Sequence, residues 1–285
     1  QTYTAAGGIV TSGARTFDSS GGTVNFASAL SGNNNVTVTG NADIDGAITD
    51  IAVLSISGTS NIGADITTSG TQTYTGAVTL SANVTLTSSG DVITFSNTVN
   101  SADSTNRDLT VTTGGNTVHI NFDGIVGQSK GLGAIAITGV LDLNAAIADA
   151  NSLTVSGVSL LDANVTTSGN QTYSGAITLG TAARTLAGSI IQTVAVNGAQ
   201  NLTITGNLDL NGAITQVAVF AVSGTTDLGA NVTTTGTQTY SSAVTSVSYT
   251  PSDAADDLTH VVLRSLVVIH VHINNLYHLD VFYLI

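Results

Sequence analysis

The sequence predicts an all-β protein wound as a parallel β-helix, or β-solenoid, and three observations carry that prediction. One phrase returns along the chain: residues 68–80 read TSGTQTYTGAVTL, residues 167–179 read TSGNQTYSGAITL, residues 234–245 read TTGTQTYSSAVT, and residues 1–8 read QTYTAAGG. A returning phrase implies one structural unit stacked on itself. The composition is that of strands and turns. Thr, Val, Ile, Gly, Asn and Ser dominate, Glu and Met are absent, and Lys occurs only at Lys130, so good helix formers are nearly missing. The third observation is alternation: in Leu202-Thr203-Ile204-Thr205 the aliphatic residues point to one face and the threonines to the other.

The strands come in pairs. VTVTG ends at Gly40 and LSISG at Gly58; IAITG ends at Gly139 and LTVSG at Gly157; LTITG ends at Gly206 and FAVSG at Gly224, so each pair of glycines is 18 residues apart. Twelve residues beyond the second glycine of each pair come Gly70, Gly169 and Gly236. Residues 135–178 align without a gap to residues 202–245 at 25 of 44 positions, which points to one ancestral unit. Glycine at each strand end suits a tight corner because it tolerates positive φ. The GAD and GAN phrases at residues 63–65 and 229–231 mark further corners, where Asp and Asn bond their own backbone.

Short strands at this spacing fit two architectures. A hairpin sandwich needs tight two-residue turns, which Asp45-Gly46, Asn197-Gly198 and Asn211-Gly212 could supply. A solenoid instead lays each strand over its equivalent one turn earlier. It accounts for recurrence at 18 residues and again at 67 and 99, the separations of Gln171 from Gln238 and of Gln72 from Gln171. The solenoid is therefore preferred, with three to five coils to a repeat. About twelve coils at a strand spacing of ~4.8 Å predict a rod roughly 55–60 Å long. Each inward aliphatic residue contributes about 1.5–3 kcal/mol.

The phrases TQTYTGAVTL, NQTYSGAITL, LTVSG and GANVTTTG resemble the repeats of very large bacterial exoproteins of the filamentous-haemagglutinin type, over residues 1–245. The resemblance implies a right-handed parallel β-helix, export by type V or two-partner secretion, and a part in adhesion. The expected localisation is extracellular, at the bacterial cell surface. Partners would be host or environmental surface glycans or proteins. A chain that opens at Gln1 inside the repeated phrase, with no visible leader, is expected to be part of a longer one.

Charge narrows the partners. The formal charge is −13, all 18 acidic residues are Asp, and the other cations are Arg15, Arg107, Arg184 and Arg264. Five scattered cations cannot build a phosphate-binding stripe, so neither nucleic acid nor an anionic membrane surface is an expected partner. No apolar run approaches the ~20 residues of a spanning helix. Cysteine is absent, which removes disulfides, thiolate metal sites and cysteine nucleophiles. A cysteine-free, Glu-free chain of this kind fits a bacterial exported protein.

Candidate chemistry is sparse, and no catalytic, cofactor or metal residue is assigned. A glycoside hydrolase on this scaffold would need two carboxyl groups at ~5–9.5 Å, for which Asp43 with Asp45, or Asp142 with Asp162, can be nominated. Asp43, Asp142 and Asp209 occupy equivalent repeat positions, whereas an active site should differ from its copies. The alternative functions are a carbohydrate-active enzyme, a polysaccharide hydrolase or lyase, on this scaffold, or an ice-binding solenoid. Asn41-Ala42-Asp43-Ile44-Asp45-Gly46 and Asn207-Leu208-Asp209-Leu210-Asn211-Gly212 imitate the start of a calcium loop, but the twelfth position of the first is Ala52 rather than Glu. His270 and His272 could share one strand face as a metal pair, and His119 reads as structural. No GxSxG supports a serine nucleophile. Thr37/Thr39, Thr110/Thr112 and Thr203/Thr205 are similar to the threonine ranks of ice-binding solenoids, although equivalents such as Ser55/Ser57 and Ala136/Thr138 break the pattern. Asn35, Asn83, Asn164 and Asn231 head Asn-Val-Thr sequons that read as corners.

The end of the chain departs from the repeat. No glycine follows Gly236, Pro251 is the only proline, and residues 261–285 are apolar with four of the five histidines, counting His260 just before them. Residues 246–285 are thus set apart as a tail. Strands at 267–273 and 276–285 around Asn274-Asn275 would make either a hairpin covering the open end of the solenoid or a non-native ending.

Overall fold

The computed structural model describes residues 1–115, 117–246 and 261–263, the last three through their backbone. Among them there is no helix, and every registered strand pair is parallel. The chain is a β-solenoid of about thirteen turns, one more than the repeat count suggested. At ~4.8 Å per turn the stack is about 60 Å long.

One turn shows how the sequence builds it. Leu54–Ile56, Ser60–Ile62 and Ile66–Thr68 each bury their outer two residues and turn the middle one outward. Three-residue corners separate them, and 18 residues on Gln72–Tyr74 lies in register over Leu54–Ile56. The cross-section therefore has three sides, here called first, second and third in that order. Three parallel ladders run the length of the rod. The first side begins at Arg15 against Val36, the second at Thr2 against Asn25, and the third at Ile9 against Leu30.

The interior is a continuous column of Val, Ile and Leu from Val24 to Val222, nearly all fully buried. Aromatic rings stack within it where the register places them. Tyr74, Phe95 and Phe122 occupy one inward position of the first side, with ring centroids 5.3 and 4.9 Å apart and planes within 10°. Such offset stacks add to simple burial.

Corners are held by bonds between turns. Asn41, Asn83, Asn164 and Asn207 each accept, through Oδ1, the backbone N–H of a residue one turn on, at 2.9–3.0 Å. The Asp45-Gly46 and Asn211-Gly212 pairs are not hairpin turns. They are corners between parallel strands: Gly46 donates to the Phe26 carbonyl and Asn211 to that of Thr193, both in the preceding turn.

Glycine is required where corners stack on corners. Gly58 donates to the Gly40 carbonyl at 2.9 Å, and a Cβ on Gly157 would lie 2.2 Å from the Gly139 oxygen. That oxygen is backbone, so relief requires moving a whole turn. Gly157→Ala is expected to cost about 2 kcal/mol, the scale of overpacking, as a lowered urea midpoint with unchanged m.

Among the described residues the core also holds three hydroxyls with no hydrogen-bond partner: Ser60 Oγ, Ser159 Oγ and Thr226 Oγ1. Each is the first inward residue of its strand, stacked between apolar residues such as Leu141 below and Ile177 above Ser159. A buried unpaired hydroxyl costs about 1–3 kcal/mol. Thr226→Val, which keeps shape and removes the hydroxyl, is therefore expected to raise stability by about 1 kcal/mol in chemical denaturation.

Val261–Leu263 continues the second ladder, parallel and in register over Gln238–Tyr240. The remainder of the tail, including His270, His272 and both strands expected of it, lies outside the described residues. Among those described, no helix is long and apolar enough to cross a membrane.

Candidate functional site

The recurring phrase turns its most polar residue inward. Gln72 and Gln171 are fully buried and Gln238 nearly so. Gln171 Nε2 donates to the Ala187 carbonyl in the turn above at 2.7 Å, and more weakly to Thr167 Oγ1 and the Val165 carbonyl across its own corner. Its Oε1 accepts from Tyr173 Oη at 2.9 Å. Gln72 repeats the pattern with Thr87, Thr68, Ile66 and Tyr74, and Gln238 bonds Val232, Thr234 and Tyr240. The threonine four residues earlier closes the corner, as Thr167 Oγ1 donates to the Gly169 carbonyl at 2.9 Å. In each copy T-x-G-x-Q-x-Y is a corner lock. Burial pushes the phenols of Tyr74, Tyr173 and Tyr240 well above the usual tyrosine value.

The described arginines, Arg15, Arg107 and Arg184, are corner braces too. Arg184, almost buried, donates through Nε to the Leu161 carbonyl at 2.9 Å and through Nη1 to that of Ala183, with Nη2 3.6 Å from Asp162. Arg107 reaches Asp103 at 3.2 Å. The Thr105 backbone N–H, and then Arg107, hold the exposed Asp103 carboxyl below its ordinary pKa. Arg15 bonds the Ala14 carbonyl and Ser12.

The outward carboxylates form ladders with amides. On the second side Asn25 Nδ2 donates to Asp43 at 2.7 Å and to Asp45 at 3.0 Å, Asn61 donates to the other oxygen of Asp43, and Thr79 donates to Asn61. On the third side Gln192 and Asn211 both donate to Asp209. On the first side Asp142 lies 3.6 Å from His119 Nδ1, both partly exposed. The equivalence seen in the sequence thus holds as chemistry: each of these aspartates ties neighbouring turns. Asp142 faces His119 and Asp162 faces Arg184. The calcium-like segments are extended strand and corner, with Asn41 and Asn207 already bonded to the next turn.

The described surface has shallow hollows. One of about 440 Å³ lies over Asn41, Asp43, Asn61 and Thr79, and one of about 430 Å³ over Asn33, Asp50, Thr67 and Ser89. The three Thr-x-Thr pairs fall on three different sides. Thr37 stacks with Ser55 on the first, Thr110 between Thr85 and Ala136 on the third, and Thr203 with Ala221 on the second.

Sequence reasoning read QTY as part of a recurring phrase and missed the lock. The available signal was the fixed Thr at four residues before Gln, which a two-residue strand alternation does not require. Compared with protein-family models, curated proteins and solved structures, the chain matches none.

Proposed function

We propose that this chain is a non-catalytic structural and adhesive segment of a large bacterial exoprotein of the filamentous-haemagglutinin type, acting outside the cell. The observation that carries this reading is the fate of the conserved chemistry within the repeat. Its Gln, Tyr and Arg close corners, and its Asp residues tie adjacent turns, so what recurs along the chain builds length. A long neutral-to-acidic rod of outward Thr, Ser and Asn can meet glycans or surface proteins at many weak contacts, which multivalency strengthens. The test is a panel of polysaccharides and cell-surface glycoproteins presented to the immobilised protein. Retention that grows with the density of the presented ligand, without product release, supports the reading. Turnover of any polysaccharide that Asp43→Asn or Asp142→Asn abolishes would replace it with a carbohydrate-active enzyme.

A further inference from the structure

The four copies of the QTY phrase do not lie above one another. Gln1-Thr2-Tyr3 is on the second side, Gln72–Tyr74 on the first, Gln171–Tyr173 on the third and Gln238–Tyr240 on the second again. Following the ladders, the chain makes three full turns plus two sides from the first copy to the next. It makes four turns plus two sides to the third copy, and three plus two to the fourth. Independent features obey the same rule. The arginine braces fall on the first, third and second sides at Arg15, Arg107 and Arg184. The unpaired hydroxyls of Ser60, Ser159 and Thr226 fall on the second, first and third, as do Asp43, Asp142 and Asp209.

We infer that repeat number sets rotation in this rod: each repeat gained or lost turns everything beyond it by one third of a turn while the core stays continuous. The physical basis is that the three sides are interchangeable. In the turn from Leu54 each is a three-residue strand followed by a three-residue corner, and the Gln–Tyr lock closes equally well on all three, with Tyr-to-Gln distances of 2.9, 2.9 and 3.1 Å. A repeat therefore carries no mark of the side on which it must lie. Any side-specific surface feature is swept around the rod and returns to one side only after twelve turns, about 58 Å at ~4.8 Å per turn. A change in repeat number re-aims whatever lies beyond it. This holds whatever the rod binds, so it stands or falls apart from the adhesive reading.

The test uses pairs of spin labels, which the absence of native cysteine makes site-specific. One label replaces Thr239, outward on the second side. Its partner replaces in turn Thr73, Thr79 or Thr85, outward on the first, second and third sides of one region. In the intact chain Thr79 should be the nearest partner. Deleting residues 135–201 removes three turns and two sides, shortens the rod by about 18 Å, and should make Thr85 the nearest. A tandem duplication of the same residues should make Thr73 the nearest. Deleting residues 202–219, one whole turn, should leave Thr79 nearest. Should Thr79 remain nearest in both the deletion and the duplication, the chain is looping out residues to restore each strand to its side, and the inference is wrong. Loss of the β-sheet circular dichroism in both would also overturn it, since interchangeable sides must accept either change.

Discussion

Replacing Gln171 by Leu is expected to destabilise the rod by about 2 kcal/mol, although the two side chains are close in size. The substitution removes no volume and adds apolar character to a buried site, so the hydrophobic effect alone predicts a gain. Hydrogen bonding reverses the sign. Gln171 is fully buried and serves the Ala187 carbonyl at 2.7 Å and Tyr173 Oη at 2.9 Å. Leucine leaves Tyr173 Oη without a partner in a dry interior, at about 1–3 kcal/mol, and takes from the Ala187 carbonyl one of its two donors, the Thr167 N–H at 2.8 Å remaining. Tyr173→Phe alone should cost about 1–2 kcal/mol, because it orphans only Gln171 Oε1. The double variant should then be more stable than the sum of the two predicts, by roughly 1 kcal/mol, since the Tyr–Gln bond is counted in both. Urea denaturation of the four proteins measures this directly. A neutral or stabilising Gln171→Leu would mean that the lock contributes nothing and that the phrase recurs for another reason.

The fold was legible because its code is short. Alternation marked Leu202 and Ile204 as inward, and the 18-residue glycine spacing named the strands that stack, as Val36 does under Leu54. The longer spacings were legible as recurrence but not as geometry. Without the lengths of individual turns, which reach 27 residues between Ile93 and Ile120, a separation of 99 does not say which side a repeat lands on. Pattern alone could not place Gln72, because an alternation of apolar and polar residues gives glutamine no inward position. Only the carbonyls converging at the corner explain it. Of the nominated carboxylates, Asp43 and Asp142 lie on strands and Asp45 and Asp162 in the corners that follow them, but their partners come from other turns. Asn25 and Asn61, for example, are 18 residues on either side of Asp43, a distance at which sequence neighbours say nothing until the period is known.

Alkaline pH should unfold the rod cooperatively, and the tyrosines of the locks set where. Burial raises the phenol pKa of Tyr74, Tyr173 and Tyr240 above the ~10 of an exposed side chain. The folded state therefore keeps these protons where the unfolded state has lost them. Their contribution is whole below pH ~10 and declines as pH rises past it, toward the folded values. Each such group lowers stability by about 1.4 kcal/mol per pH unit in that window, so three together give about 4 kcal/mol per unit. Within one to two units above pH 10 that slope exceeds a large part of a typical domain's stability. An alkaline titration should show Tyr74, Tyr173 and Tyr240 gaining phenolate absorbance only as the β-sheet circular dichroism is lost. Tyr173→Phe, though less stable at neutral pH, should flatten the alkaline limb by one group's share. Smooth ionisation of these three with the ellipticity intact would place their hydroxyls in water, and the buried lock would have to be abandoned.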